Sequence, residues 1–324
     1  MPETIYGVDL RDCELDDHEK VTDLESSIFT DEPSDPARRL RWWVMTDKLE
    51  KGMRRIAERD GRAIAYTSAS HERWEPDAKR YGVIRLLLAP DEWSDEGYAR
   101  LAEVAEAWLR DEGAVTSVAR VREGLDRELA TLRRLGYREV RRMRMSELDL
   151  VANRAQLVET RERRRREMRE QGVELHVLAA DSDPERHHKL YRLVIESEKD
   201  IPTTVPWREL SFDEWMSFWF EAPTNVSEDW FWIAREGDAI VGASVLDMPV
   251  VRGIPWTAYT CTSRAVRGRG IASALKYESI GQALELGHER VRTTNDADNA
   301  PILRVNQEMG YRLVAPFIEL HRDL

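Results

Sequence analysis

The stretch Arg267-Gly268-Arg269-Gly270-Ile271-Ala272 is the most informative part of this 324-residue sequence. It follows a β-branched and aromatic run that predicts a strand over 254–263, and it opens a helical apolar pattern over 270–286. Its two glycines leave the backbone uncovered, so that amide groups at the positive end of the helix can point at a phosphate. Its two arginines add full charges with forked donors. The stretch therefore predicts a pyrophosphate-binding turn, with a purely structural strand-to-helix turn as the alternative.

The segments around this turn predict a sheet with helices. After the turn, the patterns indicate a strand over 290–294 and a helix over 299–309, which Gly310 ends. The elements predicted before the turn are a strand over 174–178, a helix over 184–198, a second helix with a capping box from Ser211 to Glu214, and a hairpin around 236–238.

The first half of the chain repeats the second half at an offset of 174 residues. Leu-Gly-Tyr-Arg at 135–138 corresponds to Met-Gly-Tyr-Arg at 309–312, and the same offset relates Gly113 to Gly287. The order of predicted strands and helices also repeats. The sequence therefore predicts an α+β fold of two tandem domains, at 1–150 and 173–324, each with a mixed, mostly antiparallel sheet flanked by helices.

Residues 151–172, between the two halves, predict a basic linker helix. Positions 153–170 contain seven arginines and four glutamates and have no apolar stripe beyond Leu157 and Val158. This pattern is typical of a solvated helix with Glu–Arg pairs four residues apart. Binding of an acidic partner is the alternative.

The C-terminal half resembles the GNAT superfamily of acetyl-CoA-dependent N-acetyltransferases. The pyrophosphate motif of that family, Gln/Arg-x-x-Gly-x-Gly/Ala, is matched by Arg267, Gly270 and Ala272. An Asn before a helix that ends in Gly-Phe/Tyr is matched by Asn299 and Gly310-Tyr311. The resemblance covers 174–324 in its motifs and 8–149 in element order, and the tandem arrangement resembles that of mycothiol synthase and its relatives.

The resemblance implies a cofactor site and a reaction. Acetyl-CoA would be the co-substrate, no metal would be needed, and a small-molecule amine would receive the acetyl group. The acetyl-pantetheine arm would lie where the strand 254–263 splays from the next strand. The implied cofactor-binding residues are Thr262, Ser263, Arg267, Gly268, Arg269, Gly270, Ile271, Ala272, Asn299 and Asn306.

The catalytic residues depart from the family pattern. Many members have a Tyr that protonates the leaving thiolate at the position of Asn306, and an amide is no useful acid at neutral pH. The strand 254–263 contains no carboxylate that could act as a base. We therefore expect direct attack by the amine, with Tyr259 and Glu198 as candidate catalytic residues and Asp200 or Asp247 as further ones. A structural role is the alternative for each.

The connection at 199–207 contains two prolines and is expected to overlie the acceptor cleft. Trp207, Trp215 and Trp219 could form an aromatic wall there, although the last two could equally pack a helix. Cys261 could be a nucleophile, but no histidine is placed beside it, and a buried core residue is expected.

The N-terminal copy lacks the phosphate-binding features. The 174-residue offset places Trp93-Ser94-Asp95-Glu96-Gly97-Tyr98 at the turn. Its two acids stand where phosphates would bind, and one like-charge contact at 4 Å costs about 1–4 kcal/mol. Acids in the first turn of a helix also have an ordinary capping role. We expect a structural or substrate-shaping half that does not bind CoA in the usual way.

Composition restricts the remaining classes of function. The net charge of −12 repels phosphate backbones, so nucleic acid is not an expected partner. No apolar run approaches the length of a membrane span, and the first residues do not resemble a signal peptide. The two cysteines, Cys13 and Cys261, are far apart and indicate no disulfide framework, so we expect a cytoplasmic protein. We expect a monomer or a homodimer. A non-catalytic acyl-CoA-binding protein and an acyltransferase for longer acyl groups are the alternatives to an N-acetyltransferase.

Overall fold

The computed structural model describes residues 4–72, 79–206, 208–221 and 226–324. The elements of the N-terminal half are β1 (Thr4–Ile5), β2 (Val8–Asp9), β3 (Arg11–Asp12), α1 (His18–Ile28), α2 (Pro36–Leu49), β4 (Glu50–Arg59), β5 (Arg62–Glu72), β6 (Tyr81–Leu88), α3 (Asp95–Asp111), β7 (Thr116–Arg122), α4 (Asp126–Arg134) and β8 (Arg138–Asp149).

A helix, α5 (Arg154–Glu170), connects this half to the second one. The elements of the C-terminal half are β9 (Val173–Val177), α6 (Arg186–Glu198), α7 (Phe212–Phe220), β10 (Phe231–Glu236), β11 (Ala239–Asp247), β12 (Trp256–Thr262), α8 (Ile271–Glu285), β13 (Arg290–Asp296), α9 (Ala300–Met309), β14 (Arg312–Leu313) and β15 (Phe317–Asp323).

The strands β3 to β15 form one continuous sheet in the part of the chain that the structure describes. Its order is β3-β4-β5-β6-β7-β15-β8-β13-β12-β11-β10-β9, with β14 beside β8. The pairs β6–β7 and β12–β13 are parallel, and the others are antiparallel. Helices pack on the sheet, so the predicted class, mixed and mostly antiparallel with flanking helices, is confirmed.

The two halves exchange their last strands. β15, from the C-terminal half, pairs with β7 from Phe317↔Arg122 to Asp323↔Thr116. β8, from the N-terminal half, pairs with β13 from Arg290↔Asp149 to Asp296↔Met143. The predicted boundary at residue 150 follows chain order, whereas the hydrogen bonds of the sheet cross it in both directions. Each half therefore needs a strand of the other to complete its sheet.

The internal duplication is also present in the structure. β7 begins at Thr116 and β13 at Arg290, 174 residues later, and their last residues have the same separation. α4 and α9 begin at Asp126 and Ala300, again 174 residues apart. The parallel pairs β6–β7 and β12–β13 are therefore equivalent positions of the two halves.

One face of helix α5 is packed, which corrects the expectation of a fully solvated linker, while the rest of the helix is exposed as expected. Leu157 and Met168 are buried, and Gly281 of α8 leaves room for Arg161, whose Nη1 would lie 2.5 Å from a Cβ at that glycine. The Nε of Arg161 donates to the fully buried Glu278 of α8 at 2.8 Å. The sequence pattern was misleading because the acidic partner of these arginines lies on another helix, more than a hundred residues away.

Helix α2 was missed in the sequence. Its pattern has no clean apolar stripe, because Trp43 and Met45 are buried while Trp42 is exposed. The carboxylate of Asp35 caps the helix by accepting from the Ala37 amide at 3.1 Å, and Pro36 occupies the first turn. The helix carries arginines that bind the C-terminal half, as described below.

Candidate functional site

The strands β12 and β13 separate soon after they meet. They pair only at Trp256↔Arg292 and Thr257↔Thr293, and a β-bulge at Ala258 interrupts the pairing of β12 with β11. β12 then continues to Thr262, hydrogen-bonded to β11 on its other edge. Over 258–262 the edge of β12 that faces β13 has no strand partner among the described residues. A ligand lying in this gap would meet a row of backbone donors and acceptors.

The gap ends at the glycine-containing turn. A short 3-10 helix, Arg264–Val266, follows β12 and leads into the turn. Gly268 and Gly270 have φ values of 81° and 85°, which favour glycine strongly. Gly270 is the N-cap of α8 and has no side-chain capping bond, so the first amides of α8 remain available. Uncapped amides at a helix start are a suitable site for an anion.

Both arginines of the turn bind carboxylates in this structure. Arg267 donates to Asp200 at 2.5 Å, and Arg269 donates to both oxygens of Glu236, at 2.9 and 3.1 Å. Arg264 also binds Asp200, and these bonds hold the pKa of that carboxyl below its usual range. An anion at the turn would therefore compete with Asp200 and Glu236 for the arginines.

A third arginine lies beside the turn and was missed in the sequence. Nη1 of Arg164, on α5, is 3.6 Å from the place of a Cβ at Gly270. Its Nε is buried without a hydrogen-bond partner in the described structure, while Nη1 donates to Glu167 at 2.9 Å. The sequence placed this residue on a solvated linker, so only the packing of α5 could reveal it.

A polar cluster lies where β12 and β13 begin to separate. Asn306 of α9, 3% exposed, donates to Asn295 of β13 at 2.7 Å. Its Oδ1 accepts from Nζ of Lys276 at 2.6 Å. Lys276 was missed in the sequence, because a lone lysine among the apolar residues of α8 does not by itself indicate burial. Asn299 is separate from this cluster and caps α9 by accepting from the Ile302 amide.

The candidate catalytic residues meet on the α6 side of β12. The hydroxyl of Tyr259 lies 2.6 Å from Oγ of Ser197, at the C-terminal end of α6. Burial, and next the nearby Glu209, raise the pKa of Glu198 to about 7. Burial also raises the pKa of Tyr259 above its usual range, so the phenol stays protonated at neutral pH. A half-buried carboxyl with a pKa near 7 suits proton transfer.

The other candidates have structural partners. Asp247 binds Arg38 at 3.0 Å and also Arg41, both on α2, and so connects the two halves. Cys261 is buried, and burial raises its thiol pKa to about 12, which keeps it a thiol. Trp215 is buried within the α6–α7 core, and Trp219 packs on Phe231, as expected of helix-packing residues. Trp207 lies outside the described residues.

Three adjoining cavities lie between the halves, with volumes of about 300, 360 and 550 Å³. Arg85 of β6 lines all three, and Trp256 of β12 lines the two smaller ones. The largest is lined by Thr203, Val205, Pro206 and Arg208 from the connection between α6 and α7. Residues of both halves therefore surround these cavities, and the two smaller ones adjoin β12 at Trp256.

The equivalent turn of the N-terminal half is closed. Ser94 caps α3 by accepting from the Gly97 amide at 3.0 Å, and Asp95 binds Arg134. The hydroxyl of Tyr6 would lie 2.0 Å from a Cβ at Gly97, so the Tyr6 ring occupies the space in front of the helix start. The arrangement leaves no open, positively charged helix start comparable with that of α8.

Within the described ranges, no cluster of three or more His, Cys, Asp or Glu side chains has the arrangement of a metal site. None of the helices in those ranges is both long enough and apolar enough to cross a membrane.

Comparison with known proteins identifies the class. Residues 188–311 match the family model described as acetyltransferase (GNAT) family. A GCN5-related N-acetyltransferase from Sphaerobacter thermophilus is 19% identical, with a TM-score of 0.69 over 99% of this chain and 97% of that chain. A tandem GNAT protein from the clavulanic acid biosynthesis pathway is 14% identical, with a TM-score of 0.72 over 98% of each chain. No curated protein matches the chain significantly.

The C-terminal half contains a region of the GNAT acetyltransferase family, residues 188–311, and the chain as a whole has the fold of tandem GNAT proteins. The family implies an acyltransferase that uses an acyl-CoA as co-substrate and acts on a small-molecule acceptor.

Proposed function

We propose that the protein transfers the acetyl group of acetyl-CoA to the amine of a small molecule. The observation that supports this most directly is the gap between β12 and β13. It offers an unpartnered strand edge over 258–262 and leads to the uncapped start of α8 at Gly270. A chain with amide groups, such as pantetheine, matches such an edge, and a pyrophosphate matches such a helix start.

The residues around the gap have distinct roles in this proposal. Backbone groups near Thr262 and Ser263 bind the pantetheine arm. Amides from Ile271 onwards, together with Arg267 and Arg269, bind the pyrophosphate, and Asp200 and Glu236 release the two arginines when it arrives. Asn306 acts as a hydrogen-bonding residue of the gap and not as an acid, since an amide does not ionise usefully.

Glu198 is the proposed general base. It lies close enough to Tyr259 and Cys261 of β12 to affect the pKa of both groups. Its own pKa of about 7 means that about half of the molecules hold an ionised carboxylate at neutral pH. Such a group can accept a proton from the acceptor's ammonium before attack, or from the amine nitrogen as it attacks, directly or through one water.

The acceptor is proposed to enter between the halves. The cavity of about 550 Å³ has the size of a small-molecule site, and residues 203–206 form one of its walls. The opposite wall comes from β5 and β6 of the N-terminal half, including Ser68, Ser70 and Tyr81. We therefore assign the N-terminal half a role in shaping the acceptor site rather than in binding CoA.

A screen of amines with acetyl-CoA tests the proposal. Free CoA thiol is measured with each amine, and products are identified by mass spectrometry. We expect steady thiol release with at least one amine and an increase in mass of one acetyl group. CoA binding without turnover on any amine would favour a non-catalytic binding protein. Turnover only with longer acyl-CoA donors would favour a different acyl group.

A further inference from the structure

Lys276 is a buried lysine whose charge has no carboxylate partner in the described structure. It lies on α8, its side chain is 1% exposed, and its hydrogen-bond partner is the neutral amide of Asn306, at 2.6 Å. Nζ also lies 5.0 Å from the centre of the Tyr311 ring, as in a cation–π contact. A buried lysine without an ion pair is costly for stability, so packing alone does not explain its presence here.

The surroundings of Lys276 connect the two strands of the gap. On one side, Tyr311 lies beside Thr257, the last residue of β12 that pairs with β13. On the other side, Asn306 donates to Asn295, which lies on β13 beyond the last pair with β12. The ammonium group therefore lies at the point where the strands separate.

We propose that Lys276 is the acid that protonates the sulfur of CoA when the acyl group leaves. The inference rests on the proposed function, in which the thioester lies in the gap between β12 and β13. As the C–N bond to the acceptor forms, the C–S bond breaks and the sulfur keeps its electron pair. Nζ of Lys276 then gives a proton to the sulfur and becomes a neutral amine. The acceptor's proton passes to Glu198 and then to water, and water reprotonates Lys276.

The environment of Lys276 agrees with this role. Burial alone lowers its pKa to about 7, close to the value that suits an acid at neutral pH. Tyr311 is the titratable group in contact with it, and burial raises the pKa of that phenol, so it remains neutral. The carboxylate of Glu278, two residues along α8, is bound by Arg161 and Arg165 of α5. Neither Tyr311 nor Glu278 therefore provides a negative charge that would keep Lys276 protonated.

Titration of CoA bound to the protein tests the inference without turnover. Calorimetry first establishes CoA binding by the wild type and by Lys276→Met. The ultraviolet absorbance of the thiolate is then followed against pH. We expect the thiol pKa of bound CoA to lie at least about one unit below its ordinary value near 8.5 in the wild type. In Lys276→Met the thiol pKa should return to 8.5 or higher.

Kinetics on the same proteins separates an acid from a fixed charge. Lys276→Met should lower kcat by about a hundredfold or more and remove the alkaline limb of the pH profile. Lys276→Arg should keep the lowered thiol pKa but not kcat, because a guanidinium does not release its proton. Lys51→Met, on the exposed surface of the N-terminal half, is the control and should behave as the wild type.

Each result has a definite reading. If the wild type does not bind CoA, the proposed function fails and the role of Lys276 fails with it. If CoA binds and Lys276→Met leaves the thiol pKa unchanged and kcat within about twofold, only the role of Lys276 is refuted. If Lys276→Met loses stability and activity together but keeps the alkaline limb of the pH profile, Lys276 has a structural role and is not the acid. Lys276→Gln, which can still donate to Asn306, replaces the Met variant if that variant does not fold.

Discussion

Replacement of Glu198 by Gln is expected to remove the acid limb of the pH profile of kcat/KM. A general base must be ionised, and burial places the pKa of Glu198 at about 7. The ionised fraction is then about a tenth at pH 6 and about nine tenths at pH 8. The wild-type rate should therefore rise about tenfold per pH unit below pH 6 and bend near pH 7. Glu198→Gln should be slower by about a hundredfold or more and lack this bend.

The neighbour Glu209 provides a sharper form of the same test. Its negative charge is the second cause of the raised pKa of Glu198, after burial. Glu209→Gln removes that charge and keeps Glu198, so the bend should move to lower pH. The movement should be less than about one unit, because Glu209 is half exposed and also binds Lys199 at 3.1 Å. Kinetics from about pH 5 to pH 9, with an amine found in the screen, measure both variants.

Glu196→Gln is the matched control. Like Glu198→Gln, it removes one negative charge from α6. Glu196, however, accepts a hydrogen bond from the Arg264 amide and is not the proposed base. Its profile should keep the wild-type bend. Deprotonation of the acceptor's ammonium would affect all variants alike, so it cannot imitate a movement confined to Glu209→Gln. An unmoved bend in Glu209→Gln, with a loss of less than about threefold in Glu198→Gln, would refute the role of Glu198.

Three further predictions concern the cofactor turn, the halves and α5. Arg267→Ala should weaken CoA binding by about ten- to a hundredfold in calorimetry while the unfolding midpoint stays unchanged, because the side chain is exposed. Fragments 1–150 and 151–324 should each fail to give a folded monomer by size exclusion and circular dichroism, and co-expression should restore a complex, because the halves exchange strands. Glu278→Ala should cost up to about 3–5 kcal/mol of unfolding free energy in urea, because it removes the buried carboxylate of the pair and leaves Arg161 with only the exposed Glu285, whereas Glu285→Ala keeps the buried pair and should cost less than about 1 kcal/mol.

Much of the candidate site could be predicted because its features are local in sequence. A strand, a turn with two glycines and a helix start are adjacent residues, and the positive φ values at Gly268 and Gly270 agree with the reading of that turn. Glu198 and Tyr259 were found as candidates by their positions on predicted elements. Their proximity could not be predicted, since it depends on how α6 packs on β12.

Residues whose contacts depend on long-range packing could not be predicted from the sequence. Lys276 and Asn306 are thirty residues apart, and nothing in either helix pattern indicates that their side chains meet. Arg164 was assigned to a solvated linker. The buried carboxylate that binds helix α5 is Glu278 of α8, and a residue so far away in sequence contributes nothing to the local pattern of α5. A charged stripe has the same sequence pattern whether water or a buried carboxylate faces it.

The sequence by itself determined most of the order of elements, the duplication and the strand–turn–helix at 267–272, because hydrophobic period, capping residues and glycine positions act over a few residues. Only the tertiary structure decided which strands pair across the halves. β8 and β15 have ordinary strand patterns. Such a pattern predicts that a segment forms a strand, but it does not specify which of two similar neighbouring strands it pairs with. In a duplicated chain the two sheets offer equivalent edges, so the choice depends on the connections and on the packing of the whole molecule.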